Sequence, residues 1–275
     1  MSLCDLHYHL NAFRMTGKNL SAALAGHKRS IVSSGLDFLA STEHVYKNPL
    51  DCYLHLRRVA SDLKVTVIPG VEWISRENVE IIFLFDGEAS LRSALAVLKT
   101  FSHSVWEVRK LGSDLGAVLV VPHPFTPGKT GAANNLGEPG FERLLDMVDY
   151  VEIHNGLSRQ FDEIYLYNRL GPFFPGHDLK VRQTARLPEK YRRHDIGWSV
   201  GSDAHFPGEI CFAGGHPEMT SDNWFEALKS RLHFELVDLG PPEREVCRWR
   251  RNLASLGTVF SEAMLKKRVR YFGPK

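Results

Sequence analysis

Several features that would assign a chain to a specialised class are rare or missing here. The sequence has four cysteines, Cys4, Cys52, Cys211 and Cys247, which lie far apart and form no Cys-x-x-Cys pair. This spacing argues against a disulfide framework or a zinc ribbon and favours a reducing, cytoplasmic setting. No run approaches the ~20 apolar residues that cross a bilayer, and no basic region precedes an apolar run at the N-terminus. We therefore expect neither a membrane span nor a secretory signal.

Neither sign of charge dominates, since 34 lysines and arginines face 32 aspartates and glutamates. A chain with this balance carries no strong field for a highly acidic partner. Hydrophobic residues make up 43% and charged residues 24% of the chain, as in ordinary globular proteins. Repeats, low-complexity tracts and linkers are also missing. We expect residues 1–275 to form a single α/β domain with C-terminal helices from about residue 221.

Histidine, in contrast, is abundant: the chain has 13, and many stand beside acids, glycines or prolines at the ends of apolar runs. Those runs alternate with segments of helical periodicity. Strands are predicted at 36–41, 65–72, 79–85, 117–121, 149–154 and 197–200, after a short first strand that ends near His9. Helices are predicted at 19–33, from Pro49, and at 89–111, 141–147, 158–170, 221–233 and 243–266, with a loop at 125–140.

The alternation of strands and helices indicates right-handed βαβ units and a mainly parallel sheet. About seven strands in a chain of this length favour a closed or distorted barrel over an open sheet. Parallel barrels carry their chemistry at the C-terminal ends of their strands. The histidines stand at those predicted ends, so we expect the functional site there.

The first strand ends in the pattern Asp5-x-His7-x-His9. Side chains two residues apart on a strand point to the same side, so one metal ion could bind both imidazoles. A neighbouring acid such as Asp5 commonly fixes the tautomer of a ligating histidine. For this motif taken alone, a pair of satisfied surface histidines is the alternative interpretation.

Similar residues end the strands that follow: His44, Glu72, His123, His154 and the pair Asp203 and His205. A core histidine or a helix-capping acid would explain any one of them, but not their common register. Imidazoles and carboxylates without thiolates suit Zn, Mn or Fe and argue against a purely structural zinc site. Eight ligands exceed the needs of one ion. We expect two or three divalent ions, bridged by a carboxylate such as Glu72.

These motifs resemble those of the PHP superfamily (polymerase and histidinol phosphatase) over the span from Asp5 to about His205. The matching segments are Asp-Leu-His7-Tyr-His9, Thr-Glu-His44, Pro-Gly-Val-Glu72, Pro-His123-Pro, Glu-Ile-His154-Asn and Gly-Ser-Asp203-Ala-His205. The resemblance implies a distorted (βα)7 barrel of the PHP type and metal-dependent hydrolysis of phosphoesters. It further implies three metal sites, with these ligands: His7, His9, Glu72 and Asp203 for the first; Glu72, His123 and His154 for the second; His44 and His205 for the third.

Two departures from the family pattern concern the third site. The family supplies an Asp or His shortly after the paired histidines, but residues 11–17 contain neither. Three arrangements stay open: a weakly held ion, a ligand from water or Asn11, or replacement of the ion by the charge of Arg14. The family's Thr-Asp-His is Thr-Glu-His here, so Glu43 is expected to support the site with a different reach.

The resemblance favours an enzyme that hydrolyses a phosphorylated small molecule or nucleotide with a metal-activated water. Glu72 would bridge the ions, His205 or His44 would assist the leaving group, and Arg14 would orient the phosphate. Arg76, Lys129 and Arg159 follow other ligand-bearing turns and are further phosphate-binding candidates, with ordinary surface charge as the alternative.

Two other functions are compatible with the sequence. One is a phosphodiesterase or nuclease whose basic C-terminal segment, residues 244–270, contacts nucleic acid. The other is a metal-binding module without turnover, which the missing third-site ligand favours. The sequence fixes neither the substrate, nor the physiological metal, nor the oligomeric state.

Overall fold

The fold is that of a computed structural model, which describes residues 1–12, 15–125, 131–158, 191–240 and 264. Several predicted features lie outside these residues. They are the side chains of Arg14, Lys129 and Arg159, the helix at 158–170 beyond its first residue, and almost all of the basic C-terminal helix at 243–266.

Nine strands form one continuous sheet in the described part of the chain. Their bounds are β1 (Ser2–Tyr8), β2 (Phe38–Ser41), β3 (Thr66–Ile74), β4 (Glu80–Leu84), β5 (Val118–Val121), β6 (Tyr150–Asn155), β7 (Gly197–Gly201), β8 (Phe212–His216) and β9 (Glu235–Asp238). Most strand residues are buried, and all four residues of β5, a Val-Leu-Val-Val run, are covered on both faces.

Helices connect most of the strands. Their bounds are α1 (Gly17–Ser34), α2 (Pro49–Val59), α3 (Glu88–Val97), α4 (Val108–Leu115), α5 (Ala132–Leu145) and α6 (Trp224–Lys229). Local signals explain where α2 starts: Pro49 stands at its first position, where the missing amide hydrogen is harmless. In the described parts of the chain, every helix is too short or too polar for a bilayer crossing.

The strand order is β7-β6-β5-β4-β3-β2-β1-β8-β9, and the sheet curls until its two sides almost meet. Backbone hydrogen bonds join the end of β1 to the turn after β7: the Asp203 amide donates to His7 (2.8 Å), and the His9 amide donates to Ala204 (3.0 Å). Parallel pairing of β1, β2 and β3, and of β5, β6 and β7, confirms the predicted α/β barrel class. The ends of these strands therefore surround one site.

The observed secondary structure differs from the prediction around β4, β8, β9 and α6. β4 is antiparallel to both β3 and β5, so β3 and β4 form a hairpin that interrupts the βαβ order. The strands β8 and β9 were not predicted, because β8 reads Phe-Ala-Gly-Gly-His and β9 is four residues long and mostly exposed. The helix predicted at 221–233 is limited to α6, since β9 follows it closely.

The predicted helix at 89–111 is also interrupted. Ser104 and Glu107 form a capping box that starts a new helical segment, and Phe101 adopts a left-handed backbone (φ 58°) just before it. The predicted loop at 125–140 was partly wrong, because residues from Ala132 onward belong to α5. That helix bends where Gly137 has a positive φ of 67°.

Two of the three apolar clusters in the described part of the chain fill and surround the barrel sheet. The larger packs β3 to β7 against the helices that follow them and includes Trp73, whose indole nitrogen donates to the Lys99 carbonyl oxygen at 2.9 Å. Trp73 therefore belongs to the core. The second cluster draws on every strand from β1 to β8, among them Leu6, Ile82 and Val120, as expected for side chains that fill a barrel.

Candidate metal centre

His7 in β1 and His9 just after it bring their Nε2 atoms within 3.0 Å of each other. His7 is 1% exposed and His9 is completely buried, so water does not separate the rings. Both side chains point into the end of the barrel because they are two residues apart on an extended strand. This close approach marks the centre of the candidate site.

A carboxylate behind each ring determines where the imidazole proton sits. His7 Nδ1 lies 3.2 Å from Glu152 Oε1, and His9 Nδ1 lies 3.4 Å from Glu43 Oε1. A carboxylate only accepts hydrogen bonds, so each Nδ1 carries the proton. The Nε2 atoms of the two rings then face each other, and a proton or a metal ion between them would stabilise this approach.

Asp203 supplies the nearest negative charge to that pair of nitrogens. Its Oδ1 lies 3.4 Å from His7 Nε2 and 3.3 Å from His9 Nε2. Burial opposes its ionisation, but the surrounding imidazoles, His7 above all, hold its pKa below the ordinary value. The three residues can offer one ligand atom each within 4.8 Å of one another.

Glu72 on β3 reaches the same centre from the opposite side. Its Oε1 lies 3.2 Å from His123 Nε2 and 3.7 Å from His7 Nε2, while its Oε2 lies 2.5 Å from His44 Nδ1. Burial would raise its pKa, but His44 and His123 together hold it well below the ordinary value. A buried carboxylate between three imidazoles has the position of a bridging ligand.

Four groups of residues could each hold an ion within the described part of the chain. They are His7, His9 and Asp203; His7, Glu72 and His123; His44, Glu72 and Glu80; and His9, His44 and His205. Shared members make these groups a single centre. Seven of the eight side chains predicted as ligands from the sequence thus lie together.

His154 is the exception. It lies in β6, is 7% exposed and has its ring centroid 6.3 Å from that of Phe212. It belongs to none of the four groups that the described residues form.

Glu80 at the start of β4 joins the centre instead, as a residue that sequence reasoning missed. It is 3% exposed, and its Oε2 lies 3.8 Å from His123 Nε2. The available signal was a lone acid at the head of the apolar run Ile-Ile-Phe-Leu-Phe. Glu80 stands at the start of its strand, and it reaches the site only because β4 runs antiparallel to β3, which the sequence did not predict.

Asp5 acts on the backbone and not on an imidazole, contrary to its expected role as the partner of a ligating histidine. Its carboxylate accepts the amide hydrogens of His7 (3.1 Å) and Ser202 (3.0 Å) as well as the Ser202 hydroxyl. Burial raises its pKa to about 7. Asp5 therefore ties the ligand-bearing end of β1 to the turn after β7.

Glu152 and Glu209 were not predicted either. Glu152 accepts hydrogen bonds from the amide of His123 (2.7 Å) and the side chain of Asn155 (2.9 Å) besides its contact with His7. Glu209 accepts the amide hydrogen of His205 at 2.9 Å. Both carboxylates are almost fully buried, and they hold the backbone amides of His123 and His205 in place through these hydrogen bonds.

Glu43 does support the site, as the sequence predicted. Besides His9 it accepts the amide hydrogens of Asn11 (2.7 Å) and His44 (3.2 Å). Burial opposes its charge, but the hydrogen bond from His9 and the charge of Lys47 lower its pKa to about 2. The loop after β1 is thus held by the carboxylate of Glu43, which is ionised at neutral pH.

The carboxylates around His7 and His123 favour a positive charge on these two imidazoles. Burial alone would lower the pKa of His7, yet the carboxylates around it, led by Asp203 and Glu152, raise it well above the ordinary value. Burial is likewise outweighed at His123, whose contact with Glu72 raises its pKa to about 9. A proton or a metal ion can satisfy this demand, and a divalent ion brings twice the charge.

The donor set fits a divalent transition metal. It combines imidazole nitrogens and carboxylate oxygens, the ligands that suit Zn, Mn or Fe, and it contains no thiolate in the described residues. Among the cations predicted to bind phosphate, the structure describes Arg76. Its guanidinium donates to the Ser102 carbonyl oxygen at 2.7 and 3.1 Å.

Comparisons with known proteins show the fold. No family model matches the chain, and no curated protein matches it. The chain is similar in structure to PsfC from Pseudomonas syringae PB-5123, with 17% identity and a TM-score of 0.56 over 96% of this chain and 98% of that one.

A second similar structure is a lesion-specific endonuclease, PfuEndoQ from Pyrococcus furiosus, with 16% identity and a TM-score of 0.52. The match covers 86% of this chain and 57% of the endonuclease, so the chain spans little more than half of that protein. Endonuclease Q in complex with a 27-mer duplex substrate that has an abasic lesion gives a TM-score of 0.52 at 14% identity. These likenesses support the barrel fold that the sequence predicts.

Proposed function

We propose that this chain is a metal-dependent hydrolase that cleaves a phosphoester bond in a small phosphorylated substrate. The observation that carries the proposal is the approach of His7 and His9 to 3.0 Å between Nε2 atoms, with Asp203 Oδ1 beside both. Two imidazole nitrogens and a carboxylate oxygen this close together can offer three ligand atoms to one divalent ion. Its position at the end of the parallel strands is where barrel enzymes carry out their chemistry.

In this proposal His7, His9 and Asp203 hold one ion, and Glu72 with His123 holds a neighbouring one. Bound divalent ions make a water nucleophilic near neutral pH and neutralise phosphate oxygens. Glu80 is the further candidate ligand at the second position, since it groups with Glu72. His154, which the family resemblance implies there, remains a prediction.

His205 is the candidate that assists the leaving group. Its Nδ1 donates to the main-chain oxygen of Asp203 at 2.9 Å, which leaves Nε2 as the atom that can hold or release a proton. Arg14 as the phosphate-orienting cation also remains a prediction, because it lies outside the described residues.

The test compares a chromogenic phosphomonoester with a chromogenic phosphodiester, using protein loaded with Mn²⁺ or Zn²⁺. We expect metal-dependent hydrolysis of the monoester, abolished by chelation. Asp203→Asn, which keeps the shape but removes the charge between the two imidazoles, should lower kcat/KM by at least ~100-fold, or about 2.7 kcal/mol of transition-state stabilisation. Asp62→Asn makes the same change at an exposed residue and should leave the rate unchanged.

The other outcomes distinguish the remaining functions. Faster hydrolysis of the diester, with salt-sensitive retention on single-stranded DNA, would favour a phosphodiesterase or nuclease. Bound metal without hydrolysis of either substrate would favour a non-catalytic metal-binding module. Protein that binds no divalent ion would contradict the proposal altogether.

A further inference from the structure

One corner of the centre differs from the rest in charge. The group formed by His9, His44 and His205, here called the imidazole corner, has no carboxylate among its ligand atoms, whereas each of the other three groups has at least one. The rings of this corner pack closely, with centroids of His9 and His205 4.3 Å apart. A divalent ion held only by neutral imidazoles depends on the charges just behind them.

The charge just behind the imidazole corner is the ion pair of Glu43 and Lys47. Glu43 is fully buried and lies 3.4 Å from His9 Nδ1, whereas Asp203 and Glu72 lie on the Nε2 side of the same ring at 3.3 and 3.7 Å. Lys47 is 5% exposed, and its Nζ lies 3.9 Å from Glu43 Oε1. The two charges cancel because they lie together away from bulk water.

Two further contacts hold Lys47 in this position. Its ammonium donates to Asn11 Oδ1 at 3.3 Å, and its backbone amide donates to the His44 carbonyl oxygen at 2.8 Å. The tight turn from His44 to Lys47 therefore carries one candidate ligand and the lysine together. Asn11 has a left-handed backbone (φ 49°), a conformation that asparagine and aspartate tolerate.

We propose that the Glu43–Lys47 pair restricts the centre to two divalent ions. Lys47 cancels the charge of Glu43 that would otherwise help to hold a third ion at the imidazole corner. One ion then occupies the group of His7, His9 and Asp203, and the other occupies the position of Glu72 and His123. Lys47 is a positioning residue that acts through Glu43. The inference rests on the proposed metal binding and adds the number of ions and its cause.

The experiment counts tightly bound Mn²⁺ per chain by equilibrium dialysis and elemental analysis. The wild-type protein should bind two. Lys47→Gln leaves the charge of Glu43 uncompensated and should bind three, while Lys47→Arg keeps the cation and should bind two. The double variant Glu43→Gln/Lys47→Gln removes both charges and should return to two. A gain of an ion is an effect that mere destabilisation would not produce.

A second variant keeps Lys47 in place, in case Lys47→Gln does not fold. Asn11→Asp has nearly the same shape and adds one negative charge beside the pair, so it should also raise the count to three. Asn78→Asp is the matched control, because Asn78 has a similar left-handed backbone (φ 64°) in the β3–β4 turn. It should stay at two.

Three results would overturn the inference. A wild-type count of three would show that the pair does not exclude the third ion. A count of two in both Lys47→Gln and Asn11→Asp would show that charge at this corner does not set the number. A wild-type count of zero would contradict the proposed function as well, so the two failures can be told apart.

Discussion

The hydroxyl group of Tyr8, which stands between His7 and His9, contacts Nδ1 of His27 on α1. Both side chains are almost fully buried. Burial lowers the pKa of His27 to about 4, although the nearby charge of Glu43 opposes that change. His27 is therefore neutral in the folded protein at any pH above this value, whereas an unfolded chain protonates it near the ordinary pKa of 6.5.

This difference predicts a pH dependence of stability. Because the folded pKa lies below the unfolded one, protons favour the unfolded chain, and stability present above pH 6.5 is lost as the pH falls toward 4. At pH 5 the loss from His27 amounts to about 2 kcal/mol in the free energy of unfolding. Urea unfolding at pH 7.5 and 5.0 should show this loss in the wild-type protein and not in His27→Gln.

A surface histidine provides the control for that measurement. His103→Gln makes the same change at a side chain that is 29% exposed, and it should keep the wild-type pH dependence. If His27→Gln also keeps it, the neutral buried imidazole is not the cause.

At this scale the sequence predicts ligands better than it predicts their supports. His7, His9, Glu72 and Asp203 stand in motifs at strand ends, where a change of residue type is visible against an apolar run. Apart from Glu43, which stands next to His44 in the sequence, the supporting carboxylates Glu152 and Glu209 were not predicted. Glu152, for example, meets His7 across 145 residues of chain. No local pattern encodes such a contact.

At the scale of secondary-structure elements, β7 packs tightly against β1 at His7. A side-chain carbon added at Gly201, the last residue of β7, would overlap Glu152 Oε1 and His7 Cβ. The two strands can be this near because the glycine has no side chain. The position of His7 therefore depends partly on Gly201 having no Cβ atom.

We expect Gly201→Ala to push β7 away from His7 and Glu152. Overpacking of this kind costs on the order of 1–3 kcal/mol of folding stability. The shift should also weaken Mn²⁺ binding by roughly tenfold or more, since displaced ligands and their hydrogen-bonded supports lose metal affinity in this range. Isothermal titration calorimetry and urea unfolding measure the two effects.

Gly87→Ala serves as the control, because nothing lies within 4 Å of a carbon added there and its φ of −170° suits any residue. It should change neither quantity by a comparable amount. An unchanged Mn²⁺ affinity in Gly201→Ala would mean that the contact between β7 and β1 does not position His7.

Elements with strong periodicity were predicted closely, and weakly patterned ones were not. The predicted helix at 19–33 corresponds to α1, and Pro49 begins α2 as expected. The antiparallel direction of β4 was not predicted, because an apolar run has the same pattern in a parallel and an antiparallel strand. β8 has two glycines and an alanine among its five residues and carries little hydrophobic signal, so its pairing with β1 and β9 is what makes it a strand.

Across the whole molecule, folding brings acids and imidazoles from distant segments into one buried place. These groups satisfy one another in part, through close contacts such as Glu72 with His44 and His7 with Glu152. Buried charges are costly unless they are paired or bound to a metal. The fold should therefore be more stable when divalent ions occupy the centre, because the unfolded chain has no preformed site for them.

This linkage predicts a rise in melting temperature with added metal. An ion at about 100 times its Kd stabilises the folded state by about 2.7 kcal/mol. For a chain of this size that corresponds to roughly 5–10 °C in Tm. Differential scanning fluorimetry with Mn²⁺ or Zn²⁺ should show this increase, and a chelator should reverse it. Asp203→Asn should lose most of the shift, while Asp62→Asn on the surface should keep it. An equal shift in both variants would place the stabilising ion elsewhere on the protein, away from the centre built around His7 and His9.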